Sequence, residues 1–187
     1  MTTTASRLRT TFGHSLSSRL TVVGIVGFAA AVAAASQIAI PLTPVPITLQ
    51  PLLVILAGMW LGPVAGAASM VLYLAAGAAG LPVFTPIGAP GIARFLGPTG
   101  GYLIAYPAAA FVAGALAGRA TTFTARWLAA IAGVAVIYFG GVAQLSLLTD
   151  SLSSAVRVGI VPFALLDVIK ALVAAAISGP RRRSATK

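Results

Sequence analysis

The chain has 187 residues, of which 59% are apolar, only 7% are charged and none is Cys. Soluble domains average about 25% charged residues, so a water-soluble globule is excluded, and without Cys so are disulfide frameworks, Cys-ligated zinc, Fe–S clusters and thiol catalysis. The net charge of +10 sets twelve Lys/Arg against Asp150 and Asp167 alone; because these bases lie mostly in tails and in loops beside apolar runs, they report membrane topology and not nucleic-acid binding.

A helix rises 1.5 Å per residue, so crossing about 30 Å of hydrocarbon takes roughly 20 apolar residues. The sequence predicts an all-α integral membrane protein: one six-helix membrane domain over residues 19–178, between basic cytoplasmic tails at 1–18 and 179–187. The first helix is expected over 20–40. Its start has a second reading, a secretory signal ending at Ala33-Ala34-Ala35-Ser36, but losing this helix would spoil the charge asymmetry described below. Within it, Ala29 and Ala33 stand four apart, the spacing that lets another helix approach closely. Pro41, Pro44, Pro46 and Pro51 then force an extended, stiff connection over 41–50.

Helices follow over 51–61 and 64–79, or a single helix over 51–79 kinked at Leu61-Gly62-Pro63. Positive charge chooses between them. With six spans and both termini inside, nine bases lie on the inner side (Arg7, Arg9, Arg19, Arg119, Arg126, Arg181, Arg182, Arg183, Lys187) and two, Arg94 and Arg157, on the outer. Five spans give five against six, no bias at all. The segment 80–98 is apolar yet rich in Pro and Gly, and such backbone is tolerated at membrane depth only against protein or a cavity, which makes it a candidate lid. Gly97-Pro-Thr-Gly-Gly-Tyr102 starts a helix over 99–118, followed by helices over 125–148 and 160–178, with an outer connection near 149–159.

The last helix carries Asp167 and Lys170, three apart and so on one face. Each ion costs roughly 2.5–3.5 kcal/mol at the bilayer centre on insertion scales. Such a pair is either helix-to-helix glue or a polar site opening outward, and Asp167 is expected about seven residues, roughly 10 Å, below the outer end of its helix. A carboxylate beside an ammonium suits a neutral or zwitterionic small molecule with an amide-like edge. Phe84, Tyr102, Tyr106 and Phe163 are candidate apolar walls, and Gln37, Gln50 and Gln144 are further polar candidates.

Catalysis has little to stand on. The sequence has no phosphate-loop motif and no G-x-S-x-G elbow; its single histidine, His14, is in the first tail, and one acid within the membrane makes no carboxylate dyad. The expectation is a non-enzymatic protein with no catalytic residues, cofactor or metal.

Gln37-Ile-Ala-Ile-Pro-Leu-Thr-Pro-Val-Pro-Ile-Thr-Leu-Gln50, Gly80-Leu-Pro-Val-Phe84, Gly97-Pro-Thr-Gly-Gly-Tyr-Leu103 with Pro107, and Pro162-Phe163 followed by Asp167 and Lys170 together resemble the BioY family over residues 20–178. These are biotin-specific capture components of energy-coupling-factor transporters. The resemblance implies a six-helix protein of a prokaryotic cell membrane that binds biotin from the outer side and docks on a transmembrane coupling protein driven by two ATP-binding-cassette ATPases. It carries over Asp167, Lys170, Tyr102 and Phe84 as ligand contacts and Ala29 and Ala33 as the partner-docking pair. A charged pair suits the ureido edge of biotin; for the valerate carboxylate, Arg94, Arg157 and the N–H groups near Gly100 and Gly101 stand open. The family often has Asn or another small polar group after Pro-Val-Phe, where this chain has Thr85 and Pro86. The alternative function is a self-sufficient proton-coupled carrier using Asp167.

Overall fold

The computed structural model describes residues 3–42 and 44–179, with side chains from residue 18 onward. Of the bases in the charge tally, Arg7, Arg9, Arg181, Arg182, Arg183 and Lys187 lie outside the described side chains. Among the described residues, seven α-helices carry the fold: α1 (Thr3–Gln37), α2 (Gln50–Leu61), α3 (Pro63–Ala78), α4 (Gly100–Ala117), α5 (Phe123–Thr149), α6 (Leu152–Gly159) and α7 (Ala164–Ser178). The first helix starts well before the expected residue 20, since no proline interrupts the polar stretch ahead of it.

α2 and α3 are two helices, not one kinked one. Gly62 between them has φ 94° and ψ 173°, a left-handed-side conformation that a side chain would strain, and Pro63 opens α3 with no N–H to leave unpaired. The chain turns back on itself there. Gly58 and Gly66, four residues on either side of Gly62, meet so closely that a Cβ on Gly66 would lie 2.6 Å from Gly58 Cα. α4 packs along α5, and a Cβ on Gly140 would lie 2.6 Å from the Gly101 carbonyl oxygen. Glycine thus brings backbones into contact where bulky side chains would hold helices 8–10 Å apart.

Three segments are long and apolar enough to cross a membrane: Ser18–Gln37 of α1, α4 and α5. A fourth is the pair α6 and α7 taken as one broken span, bent by 54°. α2 and α3 are shorter apolar helices. The segment 149–159, expected as an irregular connection, instead holds α6, whose first turn is capped by Ser151 accepting from the Ser154 N–H at 3.3 Å.

The two Pro/Gly-rich loops lie at one end of the bundle. In the first, β1 (Ala39–Ile40) and β2 (Ile47–Thr48) pair antiparallel, Ala39 opposite Thr48, so the proline segment is closed into a hairpin. The second runs from Ala79 to a short 3₁₀ helix, Gly91–Leu96. It is tied to the end of α1: Ser36 Oγ donates to the Val83 carbonyl at 2.6 Å and Gln37 Nε2 to the Phe84 carbonyl at 3.1 Å.

Candidate functional site

The position of Asp167 follows from how α7 begins. Residues 160–163 form a turn, the helix opens at Ala164, and the Asp167 N–H donates to the Phe163 carbonyl at 2.8 Å. Asp167 therefore sits in the first turn and not seven residues down the helix, because residues 160–163 form a separate turn ahead of α7. A carboxylate there faces the positive end of the helix dipole. The residue is buried, at 4% exposure, and its partners explain how. Oδ1 accepts from Lys170 Nζ at 2.8 Å and Oδ2 from the Tyr138 hydroxyl at 2.7 Å.

Lys170 also donates to the Thr48 backbone carbonyl at 2.7 Å. Thr48 Oγ1 donates to Gln50 Oε1 at 3.1 Å, and Gln50 Nε2 donates to the Tyr73 hydroxyl at 2.7 Å. One line of polar bonds thus crosses five elements: α5, α7, the hairpin, α2 and α3. A buried carboxylate and a part-buried ammonium repay their desolvation only when their remaining lone pairs and protons are also engaged. Here most are. Lys170 has three protons and two protein acceptors, and each Asp167 oxygen keeps a lone pair, so the pair presents one donor and adjacent acceptors.

Asp167, Lys170, Phe84 and Tyr102 all line one cavity, so the structure brings the four expected contact residues together. Tyr106 and Phe163 line it as well. Phe84 leaves the second loop and lies over Gly77 of α3, where any Cβ would collide with its ring. Its ring is edge-on to Tyr73 at 5.4 Å and to Phe95 at 5.7 Å. Tyr102 offers a ring and not a hydroxyl, because its OH donates to the Gly159 carbonyl at 2.9 Å and so holds the end of α6.

At the loop side of the same cavity stands Arg94, from the 3₁₀ helix and only 5% exposed. Nη1 donates to Thr85 Oγ1 at 3.1 Å and to the Ile87 carbonyl, and Nη2 donates to the Thr85 carbonyl at 2.6 Å. Its guanidinium carbon lies 5.9 Å from the centre of the Phe84 ring. All these partners are neutral, and Nε is buried with none. Among the described residues the one ion pair is Asp167–Lys170, so the charge of Arg94 is not compensated by a carboxylate. Burial lowers its pKa, opposed weakly by Tyr73.

Of the other cationic or N–H candidates, Arg157 is exposed on α6 and away from the cavity, while Gly100 and Gly101 are packed against the backbones of Phe95 and Gly140. Gln144 holds the 3₁₀ helix in place, donating to the carbonyls of Phe95 at 2.8 Å and Gly97 at 2.7 Å.

The alanine pair expected to meet a partner lies on α1. Ala29 is buried in the chain's own core and Ala33 is half-buried against that core. The alanines facing outward at the same spacing are Ala30 and Ala34, one position on. Sequence reasoning also passed over Tyr138, Tyr73 and Thr48. The two tyrosines stand inside apolar helices with nothing to mark their facing; Thr48 contributes a backbone carbonyl, which has no side-chain signature.

The BioY family model matches residues 7–187. The chain belongs to the BioY family. Over 151 residues it is 41% identical to a protein of Pyrococcus horikoshii named probable biotin transporter BioY, and 40% identical to the biotin transporter BioY of Thermotoga maritima. Each comparison covers 81% of this chain and 89% of the relative. A solved structure described as the S-component for biotin from an ECF-type ABC transporter superposes with a TM-score of 0.78 at 30% identity, over 87% of this chain and 90% of that one. Family and fold together make this BioY chain a multi-pass membrane protein and a transport component, with membrane-capable helices around the cavity.

Proposed function

We propose that this chain is the biotin-binding component of an ECF-type transporter. In this reading it captures biotin from the outer face of a prokaryotic plasma membrane and docks on a transmembrane coupling protein powered by two ATPase subunits. The observation that carries it is the pairing of two unlike polar ends in one aromatic-walled cavity, in a chain of the BioY family. The ureido ring of biotin places an N–H beside a C=O on one edge; Asp167 accepts the first and the remaining proton of Lys170 serves the second. The apolar thioether ring and valerate chain suit Phe84, the Tyr102 ring and their neighbours. The carboxylate goes to Arg94, whose uncompensated charge lies at the loop side.

Six spans with both termini inside set the two loops on the outer face, which is where capture from outside requires them. The tally of nine bases against two supports that orientation, and the α2–α3 hairpin supports six spans over five. Docking falls to the outward face of α1 at Ala30 and Ala34, since Ala29 and Ala33 serve the bundle itself.

Titration of the purified chain in detergent with labelled biotin tests the reading: saturable one-to-one binding is expected, and no binding at any concentration overturns it. Vesicles containing this chain alone, with and without a pH gradient, separate a partner-driven component from a proton-coupled carrier; gradient-driven uptake favours the carrier.

A further inference from the structure

The resemblance singled out Asp167 and Lys170, but a third side chain completes the polar end. Lys170 comes from the next turn of the same helix and engages only Oδ1. With that contact alone the carboxylate could turn about its last bond and exchange its oxygens. Tyr138 reaches Oδ2 at 2.7 Å from α5, 29 residues away in sequence. Held by donors from two different helices, the carboxylate has a fixed plane, and the lone pairs left over point in fixed directions.

Two of the other tyrosine hydroxyls of the cavity are engaged elsewhere, that of Tyr102 with Gly159 and that of Tyr73 with Gln50. Tyr138 lines the cavity too, so it stands beside the occupant as well as behind the carboxylate.

We propose that Tyr138 is a positioning residue that orients the Asp167 carboxylate toward the N–H edge of the ligand. The assignment rests on the biotin reading above. Ordering a carboxylate ahead of binding removes a cost that would otherwise be met at binding, and a hydrogen bond to a charged group is among the stronger ones.

The experiment is a set of titrations on purified full-length chain: wild type, Tyr138→Phe, Asp167→Asn and the double variant, each with biotin and with a biotin analogue methylated on its ureido nitrogens. Wild type should bind biotin, and Tyr138→Phe should weaken that binding by roughly tenfold. The loss should shrink to within about twofold for the methylated analogue and in the Asp167→Asn background, because the pair acts as a unit. Melting of the unliganded proteins checks folding. The infrared carboxylate band assigned by the difference between wild type and Asp167→Asn should shift in unliganded Tyr138→Phe.

A Tyr138→Phe protein that binds biotin like wild type overturns the proposal, as does an equal loss for both ligands and both backgrounds, the mark of a packing role. An unshifted carboxylate band overturns it independently of any ligand. Failure of wild type to bind biotin instead sinks the transporter reading, so the two failures are distinguishable.

Discussion

The two polar ends of the cavity solve the burial of charge in opposite ways. At the α7 end, a carboxylate and an ammonium neutralise each other and are held by Tyr138 and the Thr48 carbonyl. At the loop end, Arg94 is bonded only to hydroxyl and carbonyl oxygens and has no carboxylate to neutralise it. The first arrangement suits a neutral polar edge and the second an anion. Ligand polarity is thus written along the cavity before any ligand is present. The desolvated guanidinium is also the group that gains most from an incoming negative charge.

Asp167→Asn attacks the first end hardest: it leaves the part-buried Lys170 without its counter-ion, and biotin affinity should fall by about 100-fold or more by titration. Arg94→Gln tests the second end through ligand charge. Affinity for biotin should drop roughly 10- to 100-fold, while that for uncharged biotin amide changes little; equal losses for both ligands would remove Arg94 as the carboxylate anchor. Where α4 and α5 meet, Gly140→Ala forces α5 away from α4 and should lower stability by about 1–3 kcal/mol in denaturation, with a smaller loss of affinity.

Substitutions on α1 sharpen the contrast between site and scaffold. Ala29→Leu overpacks the core and should cost about 1–3 kcal/mol of stability, whereas Ala30→Leu with Ala34→Leu should leave stability and biotin binding within experimental error and impair co-purification with the coupling protein. Normal assembly by the second variant would move docking off this face. The smallest effect is expected from Gln144→Leu, which frees two carbonyls under the 3₁₀ helix; about 1 kcal/mol of stability should be lost.

Much of this could be read in the sequence because prolines and glycines punctuate the chain: Gly62-Pro63 divides α2 from α3, and helix ends agree within a few residues for α2 to α5, whereas α6 was not expected. Asp167 and Lys170 were legible because ions in an apolar run have few uses. Their depth was not, since the sequence does not say that the turn before Ala164 excludes residues 160–163 from the helix. The facing of α1 was equally hidden. Lipid is as apolar as a protein interior, so a helix with alanine and valine all round carries no stripe to tell Ala29 from Ala30. Tyr138 and Phe139 are neighbours in one apolar run; the first holds Asp167 and the second is 81% exposed. Only three-dimensional packing separates them.

The bond from Lys170 to Thr48 has one more consequence. The hairpin is fastened to the same nitrogen that pairs with Asp167, so whatever displaces that nitrogen tugs on the hairpin as well. One hydrogen bond thus couples the polar centre of the cavity to the proline hairpin, with no relay needed between them.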